Sequence, residues 1–349
     1  MNSAFLTLAI IAATPTTTTA KDRGVLAPVV AVFPGVIAHG AGHFVLGERE
    51  TAWTLLSIEG AGIASILAGG TGLALTGGSD KTVVPFAWMM MQGVGLFGVS
   101  WLADLYGTMS PKEGFGTAQR RTPKMRLELG YRAIADPVFS YTNLSLFSAQ
   151  SEWRVLRFGV DAWSALDDDN QRVRGHATWR VFGPRSRRTA PGGDYLDLRF
   201  GLNWHRYGTE DFSMTTGEFA FRGRLDGRHI ASTLRGLFFE AELGLAGGAT
   251  SYGDLSGEAT GLLLGGFGLG IYLGHARDSW GELTLMYDHR HDGYLAGAKL
   301  PSLGSGIPGH LVSALDLQIF GPWGFRLEAA AGSSWMGGAS VVYQLGGSR

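Results

Sequence analysis

The 349-residue chain contains no cysteine. That excludes disulfides, iron–sulfur ligation and thiol catalysis, and it suits an exported protein with no thiols to mispair. Charge is also scarce: Asp, Glu, Lys and Arg make up 17% of residues, against a usual ~25%. The 29 basic and 30 acidic residues nearly cancel to a net charge of -1, so no global positive field exists to gather nucleic acid. Prolines number only 12 beside 54 glycines, with no Gly-X-Y period, which removes collagen and Pro/Gly-rich disorder together. No Walker loop, HExxH or GxSxG occurs, so nucleotide, zinc-protease and hydrolase-elbow chemistry lack support and no cofactor is expected. What remains is an apolar, glycine-rich chain, 45% hydrophobic and 11% aromatic, that must be ordered.

Residues 1–20 combine an apolar run from Phe5 to Ala13 with Thr18 and Ala20 at -3 and -1 to a cut before Lys21, the pattern of a secretory signal peptide. Residues 21–122 form an apolar helical region. Within it, Thr51–Thr76 and the uncharged Thr82–Ala103 are each long enough to cross ~30 Å of hydrocarbon, giving a helical hairpin at about 51–108 that turns at Gly77–Lys81. Gly60, Ala64, Ala68 and Gly72 recur every fourth residue and would allow close approach of the two helices. Upstream, His39 and His43 sit one helical turn apart. Such a pair is a metal-ligand candidate with Glu48, Glu50 or Glu59 nearest as a third ligand, or else part of a closely packed polar corner with Gly40 and Gly42.

From Lys124 onward the apolar period changes from helical to two. In Asp197–His205 the residues Leu198, Phe200, Leu202 and Trp204 fall on one face and Asp197, Arg199, Asn203 and His205 on the other. Turn signals divide residues 123–349 into twelve segments: 125–134, 140–149, 153–164, 172–182, 194–206, 213–225, 236–248, 260–274, 280–291, 310–320, 323–332 and 338–346. Most reach the ~9–11 residues of a tilted membrane strand, whereas soluble strands average ~5–6. The count is even, as a closed antiparallel barrel of bacterial type requires. Trp163, Trp204, Tyr207 and Tyr252 gather at one set of strand ends and Trp153, Trp179, Trp280 and Trp323 at the other, as two interfacial girdles would. This pattern resembles the outer-membrane β-barrel proteins of double-membraned bacteria as a class. The resemblance implies a mainly β fold, one closed transmembrane barrel of about 12 strands behind an apolar α-helical hairpin, located in the bacterial outer membrane and in contact with lipid.

The polar face of that barrel would carry nine arginines and ten acids. Arg157, Arg172, Arg174, Arg199, Arg222 and Arg224 lie on strands three to six; Glu240, Glu242, Glu282 and Asp316 lie on strands seven to ten, which have no inward arginine. A twelve-stranded barrel keeps roughly 10 Å of bore after side chains intrude, between a filled small barrel and a wide porin. The expectation is a narrow pore for small polar solutes or ions with opposed basic and acidic walls, or a structural envelope barrel closed by its own ion pairs. Two alternatives stand beside it. One is a lipid-modifying hydrolase centred on His289, with Asp288, His291 and Ser302 as partners; the run Asp288–Asp292 faintly resembles the His-bearing strands of outer-membrane phospholipases and lipid A deacylases, though the facing of His289 with Tyr287 suits an interfacial role better. The other is an inner-membrane helical hairpin carrying a periplasmic β domain. The acidic run Asp167–Asp169 lacks the glycine turn of an ordered calcium loop and reads as a solvated turn.

Overall fold

The structure is a computed structural model and describes residues 20–79, 81–117, 123–135, 142–183, 193–208, 212–253, 255–274, 280–289, 309–332 and 334–346. Four helices precede the sheet: α1 (Ala20–Val32), α2 (Ala41–Leu46), α3 (Arg49–Thr76) and α4 (Val83–Met109). The leader proposed at 1–20 lies outside the described residues apart from Ala20, the first residue of α1. Helices α3 and α4 are the two long apolar segments read from the sequence, and both are long and apolar enough to cross a membrane. Gly77 ends α3 with φ 62°, a left-handed position that glycine adopts without Cβ strain.

Contact between α3 and α4 uses only the last member of the small-residue stripe expected for it, Gly72, where a Cβ would come 2.3 Å from the Phe86 ring. Gly60, Ala64 and Ala68 are exposed. The crossing is made by Gly62 and Gly69, seven residues apart: a Cβ on Gly62 would come 2.8 Å from the Gly93 carbonyl oxygen, and one on Gly69 would come 2.6 Å from that of Phe86. A seven-residue spacing keeps contacts on one seam of a helix pair, whereas a four-residue stripe drifts across it and meets it here at Gly72.

Twelve strands follow: β1 (Met125–Ala135), β2 (Asn143–Trp153), β3 (Leu156–Ala165), β4 (Gln171–Phe182), β5 (Tyr195–Arg206), β6 (Phe212–Asp226), β7 (Leu237–Tyr252), β8 (Leu255–Leu273), β9 (Trp280–Asp288), β10 (His310–Phe320), β11 (Trp323–Ala331) and β12 (Trp335–Leu345). They pair as sequence neighbours and close through β1 and β12, where Met125 faces Leu345 and Ala135 faces Trp335, giving a closed antiparallel barrel. Closure leaves no free edge, so every strand finds ladder partners on both sides. Several boundaries differ from expectation, most of all at two turns. β2 continues to Trp153, and the turn falls at Arg154, which takes φ 55°. β7 and β8 run on past 248 and 260 as a paired hairpin to Tyr252 and Leu255, so no long loop separates them.

The period-two pattern sorts side chains as the pleat requires. Leu129, Phe147, Phe158, Phe200, Leu202, Leu245 and Val341 are exposed on the outer wall. Trp153, Trp179, Trp204, Tyr252 and Trp323 remain exposed near strand ends, but Trp163 is 8% exposed and points inward, which corrects its girdle assignment. Its position follows from parity, since Asp161 and Trp163 share a face of β3. The end of the barrel holding the 154–155 and 321–322 turns is called the turn end below.

Helices α1–α4 stack beside the turn end and along the outside of β7 and β8. A Cβ on Gly95 would come 2.6 Å from the Phe267 ring, and one on Gly265 would fall within the Trp88 ring. Leu55, Ala103 and Tyr106 join Leu234 and Leu237 in one buried cluster, and Tyr106 Oη donates to the Arg235 carbonyl at 2.8 Å. The helical hairpin is thus packed against the β wall.

Candidate functional site

Inside the barrel lies a cavity of about 430 Å³. Eight arginines and eight acids line it, so its charge is balanced overall and its electrostatics depend on where each sign sits. Of the sequence-predicted residues, Arg157, Arg174, Arg199, Arg222, Arg224, Glu242, Glu282 and Asp316 all border the cavity, joined by Asp288. Arg172 and Glu240 face the same way but are packed behind it. Arg172 is 5% exposed, lies 4.9 Å over the Trp163 ring and donates from Nε to Asn203 Oδ1 at 2.6 Å. The lining of β3–β6 carries five arginines against two acids, and that of β7–β10 four acids and no arginine, so the uneven distribution of sign persists around the bore.

Ion pairs between strands up to three apart around the barrel offset much of that charge. Arg126 Nη2 meets Asp316 Oδ2 at 2.5 Å, Arg174 meets Glu218 at 2.5 Å, and Arg180 makes two bonds to Asp197 at 2.6 and 3.1 Å. Inward charges must be paired or hydrated, since an isolated one is costly. The largest assembly lies at the turn end. Arg224 donates from Nε to Glu240 at 2.7 Å and bidentately to Glu282 at 3.0 Å through both terminal nitrogens, while Arg222 and Tyr195 also donate to Glu240, at 2.7 and 2.8 Å. At the opposite end Ile134, Leu144, Leu146, Trp163, Ala330 and Met336 form an apolar cluster that narrows the bore. Arg132 stacks on Trp163 at 5.5 Å as well. The charges lie at the inward positions that strand parity gives; the apolar cluster was missed, although its residues occupy inward positions of β1–β3, β11 and β12 and could have been counted there.

His289 follows β9 beside Tyr287. Its Nδ1 lies 3.1 Å from the Tyr287 hydroxyl, and Tyr287 stacks on the outward-facing Phe267 at 5.1 Å. His291 and Ser302 lie outside the described residues. Asp167 is a fastener: its Oδ2 accepts from the Thr142 amide, the Thr142 hydroxyl and Asn143 Nδ2 at 3.1, 2.7 and 2.9 Å. Those bonds from Thr142 and Asn143 draw its carboxyl down to about 2.

His39 and His43 are both fully buried, but their rings serve different partners. His43 Nδ1 lies 2.5 Å from Asp104 Oδ1, and Asp104 also accepts the amides of Gly40, Gly42 and His43 at 3.0, 3.2 and 3.3 Å. His39 Nδ1 lies 2.7 Å from Ser100 Oγ, and its amide donates to Glu59 at 2.9 Å. Among the described residues no group of three His, Cys, Asp or Glu side chains is placed to hold a metal ion. The pair instead locks the α1–α2 corner onto α3 and α4, the close-packed polar corner among the sequence readings. Gly40, at φ 87°, is pressed against the Ala52 backbone, where a Cβ has no room. Asp104 and Ser100 were missed; a lone carboxylate in an otherwise apolar helix was the available signal.

No family model matches this sequence, and no curated protein matches it either. Solved structures similar to it include the KdgM porin, at 9% identity and a TM-score of 0.39 over 63% of this chain and 99% of that one. They also include the NanC porin, at 11% identity and a TM-score of 0.38 over 63% and 100%. The translocator domain of the autotransporter NalP from Neisseria meningitidis is similar at 14% identity and a TM-score of 0.36 over 64% and 88%.

Proposed function

We propose that the chain is exported by the leader at 1–20 and inserts in the bacterial outer membrane, where residues 123–349 form a narrow pore for small zwitterionic solutes or ions. The observation that carries this reading is the lumen itself, a charge-lined cavity of about 430 Å³ enclosed by an apolar outer wall. The apolar exterior is a surface for hydrocarbon, since no soluble fold leaves so wide a band of large apolar side chains in water. Arginines on β3–β6 face the bore beside acids on β7–β10, and a solute carrying both signs would be oriented across it. Arg174, Arg199 and Glu242 line the bore and would set selectivity, and the assembly around Arg224 would set the width at the turn end.

A second reading, a structural barrel that does not conduct, draws on that same assembly and on the apolar cluster at the other end. Single-channel recording in a planar bilayer decides between them, comparing wild type with Arg199→Ala and Glu242→Ala. Discrete steps whose ion selectivity moves in opposite directions in the two variants support the pore. Silence from protein proven folded and inserted removes it and leaves the structural barrel.

A further inference from the structure

A second cavity of about 430 Å³ lies outside the barrel, between the helical hairpin and the wall formed by β6 and β7. Leu55 and Ile58 of α3 and Leu96 and Val99 of α4 line one side; Leu225 and Phe239 line the other. The contact of Gly95 with Phe267 closes it toward β8, and the cluster of Leu55 with Leu234 and Leu237 closes it toward the turn end. Leu96 and Leu225, 39% and 44% exposed, mark the side left open.

Little that is polar is offered to an occupant beyond the side chain of Gln92, which also lines the cavity. The strand residues Tyr195, Arg224 and Glu240 border the cavity yet turn their polar groups onto one another in the lumen. The Ser100 hydroxyl is engaged by the Leu96 carbonyl at 2.8 Å and by His39. Water needs two to four polar partners to be held in a cavity, and this slot supplies too few. An empty slot forfeits the dispersion contacts of its whole lining. Both walls belong to surfaces that face hydrocarbon, so the apolar solvent at its open side is the acyl chain of a membrane lipid.

We infer that this slot is an acyl-chain site, in which one tail of a membrane phospholipid is wedged between hairpin and barrel as a structural partner. The inference rests on the membrane placement proposed above and is independent of conduction.

The test uses the full chain in nanodiscs of phosphatidylcholine carrying a photoactivatable diazirine in one acyl tail, with adducts mapped by peptide mass spectrometry. Adducts should concentrate severalfold on peptides containing Leu96, Val99 and Phe239 relative to those containing Leu129 and Val341 on the far wall. Ala241→Trp, which fills the slot from the β7 side, should abolish the concentrated adducts while leaving those at Leu129 and Val341 unchanged and the folded barrel resistant to cold SDS. Even labelling of all outer surfaces, or enrichment that survives Ala241→Trp, overturns the site. Cross-links from the slot to a second copy overturn it in favour of a dimer interface. Absence of labelling at Leu129 and Val341 as well overturns the membrane placement, and the acyl-chain site with it.

Discussion

The guanidinium of Arg224 lies 3.8 Å above the centre of the Phe238 ring, with Glu240 and Glu282 bonded at its edge. The planar fork uses its face for the ring and its edge for two carboxylates, which an ammonium cannot do. Arg224→Met leaves Glu282 without its bidentate partner and should cost about 3–5 kcal/mol, the usual penalty for breaking a buried pair. Arg224→Lys should recover less than half of that. The urea midpoint for loss of the cold-SDS-resistant form measures both.

Asp104 gathers three backbone amides and the His43 ring at one carboxylate. Asp104→Ala strands these buried donors and should cost about 3 kcal/mol or more. The loss should fall on the helical layer alone. Trp101 reports it, because its indole donates to the Ala31 carbonyl at 3.0 Å and will enter a new environment when α1 leaves. A cooperative loss of barrel and helices together would contradict this separation.

His39 gives the same corner a pH dependence. Burial lowers its pKa below the ordinary 6.5, against the opposing pull of the Glu59 and Asp104 carboxylates. A histidine held neutral in the fold takes up its proton more readily when released, so its stabilising effect is complete above pH 6.5 and is lost as pH falls through the lowered value. Docking of α1, followed by Trp101 fluorescence, should weaken on acidification below pH 6.5, and His39→Asn should flatten that part of the profile.

The helix crossing predicts opposite outcomes at two glycines. A Cβ on Gly93 would come 2.8 Å from the Ile66 amide nitrogen, whereas one on Gly60 meets nothing within 4 Å. Gly93→Val should destabilise the hairpin by about 1–3 kcal/mol through overpacking. Gly60→Ala should stabilise it by up to about 1 kcal/mol through helix propensity. Thermal loss of the helical circular-dichroism signal separates the two.

Much of this architecture is written in local periodicity. Alternation along Asp197–His205 put Asp197, Arg199, Asn203 and His205 on the inner face and Phe200, Leu202 and Trp204 on the outer, because a strand has only two faces. Periodicity could not say which inward charges would pair, since Arg126 finds Asp316 across 190 positions through the closure of β1 and β12. Trp163 misled because an aromatic near a strand end suits an interface and a stacking partner for Arg132 and Arg172 equally well. His39 and His43 were visible as polar residues in an apolar region, but their partners Ser100 and Asp104 lie 61 positions away, beyond the reach of any local spacing.

The docking of α4 on β8 imposes an order of events. Gly95 is made long before Phe267, and Trp88 long before Gly265, so the earliest long helices of the chain wait for the eighth strand before they can settle. Their contact is among the last to form despite being first in the chain, because loop closure over such separations is slow. Until then the hairpin exposes an apolar face that an unfinished chain must keep shielded. On the export proposed above, the N-terminal segment travels as cargo and becomes a buttress only once the barrel wall exists to lean on.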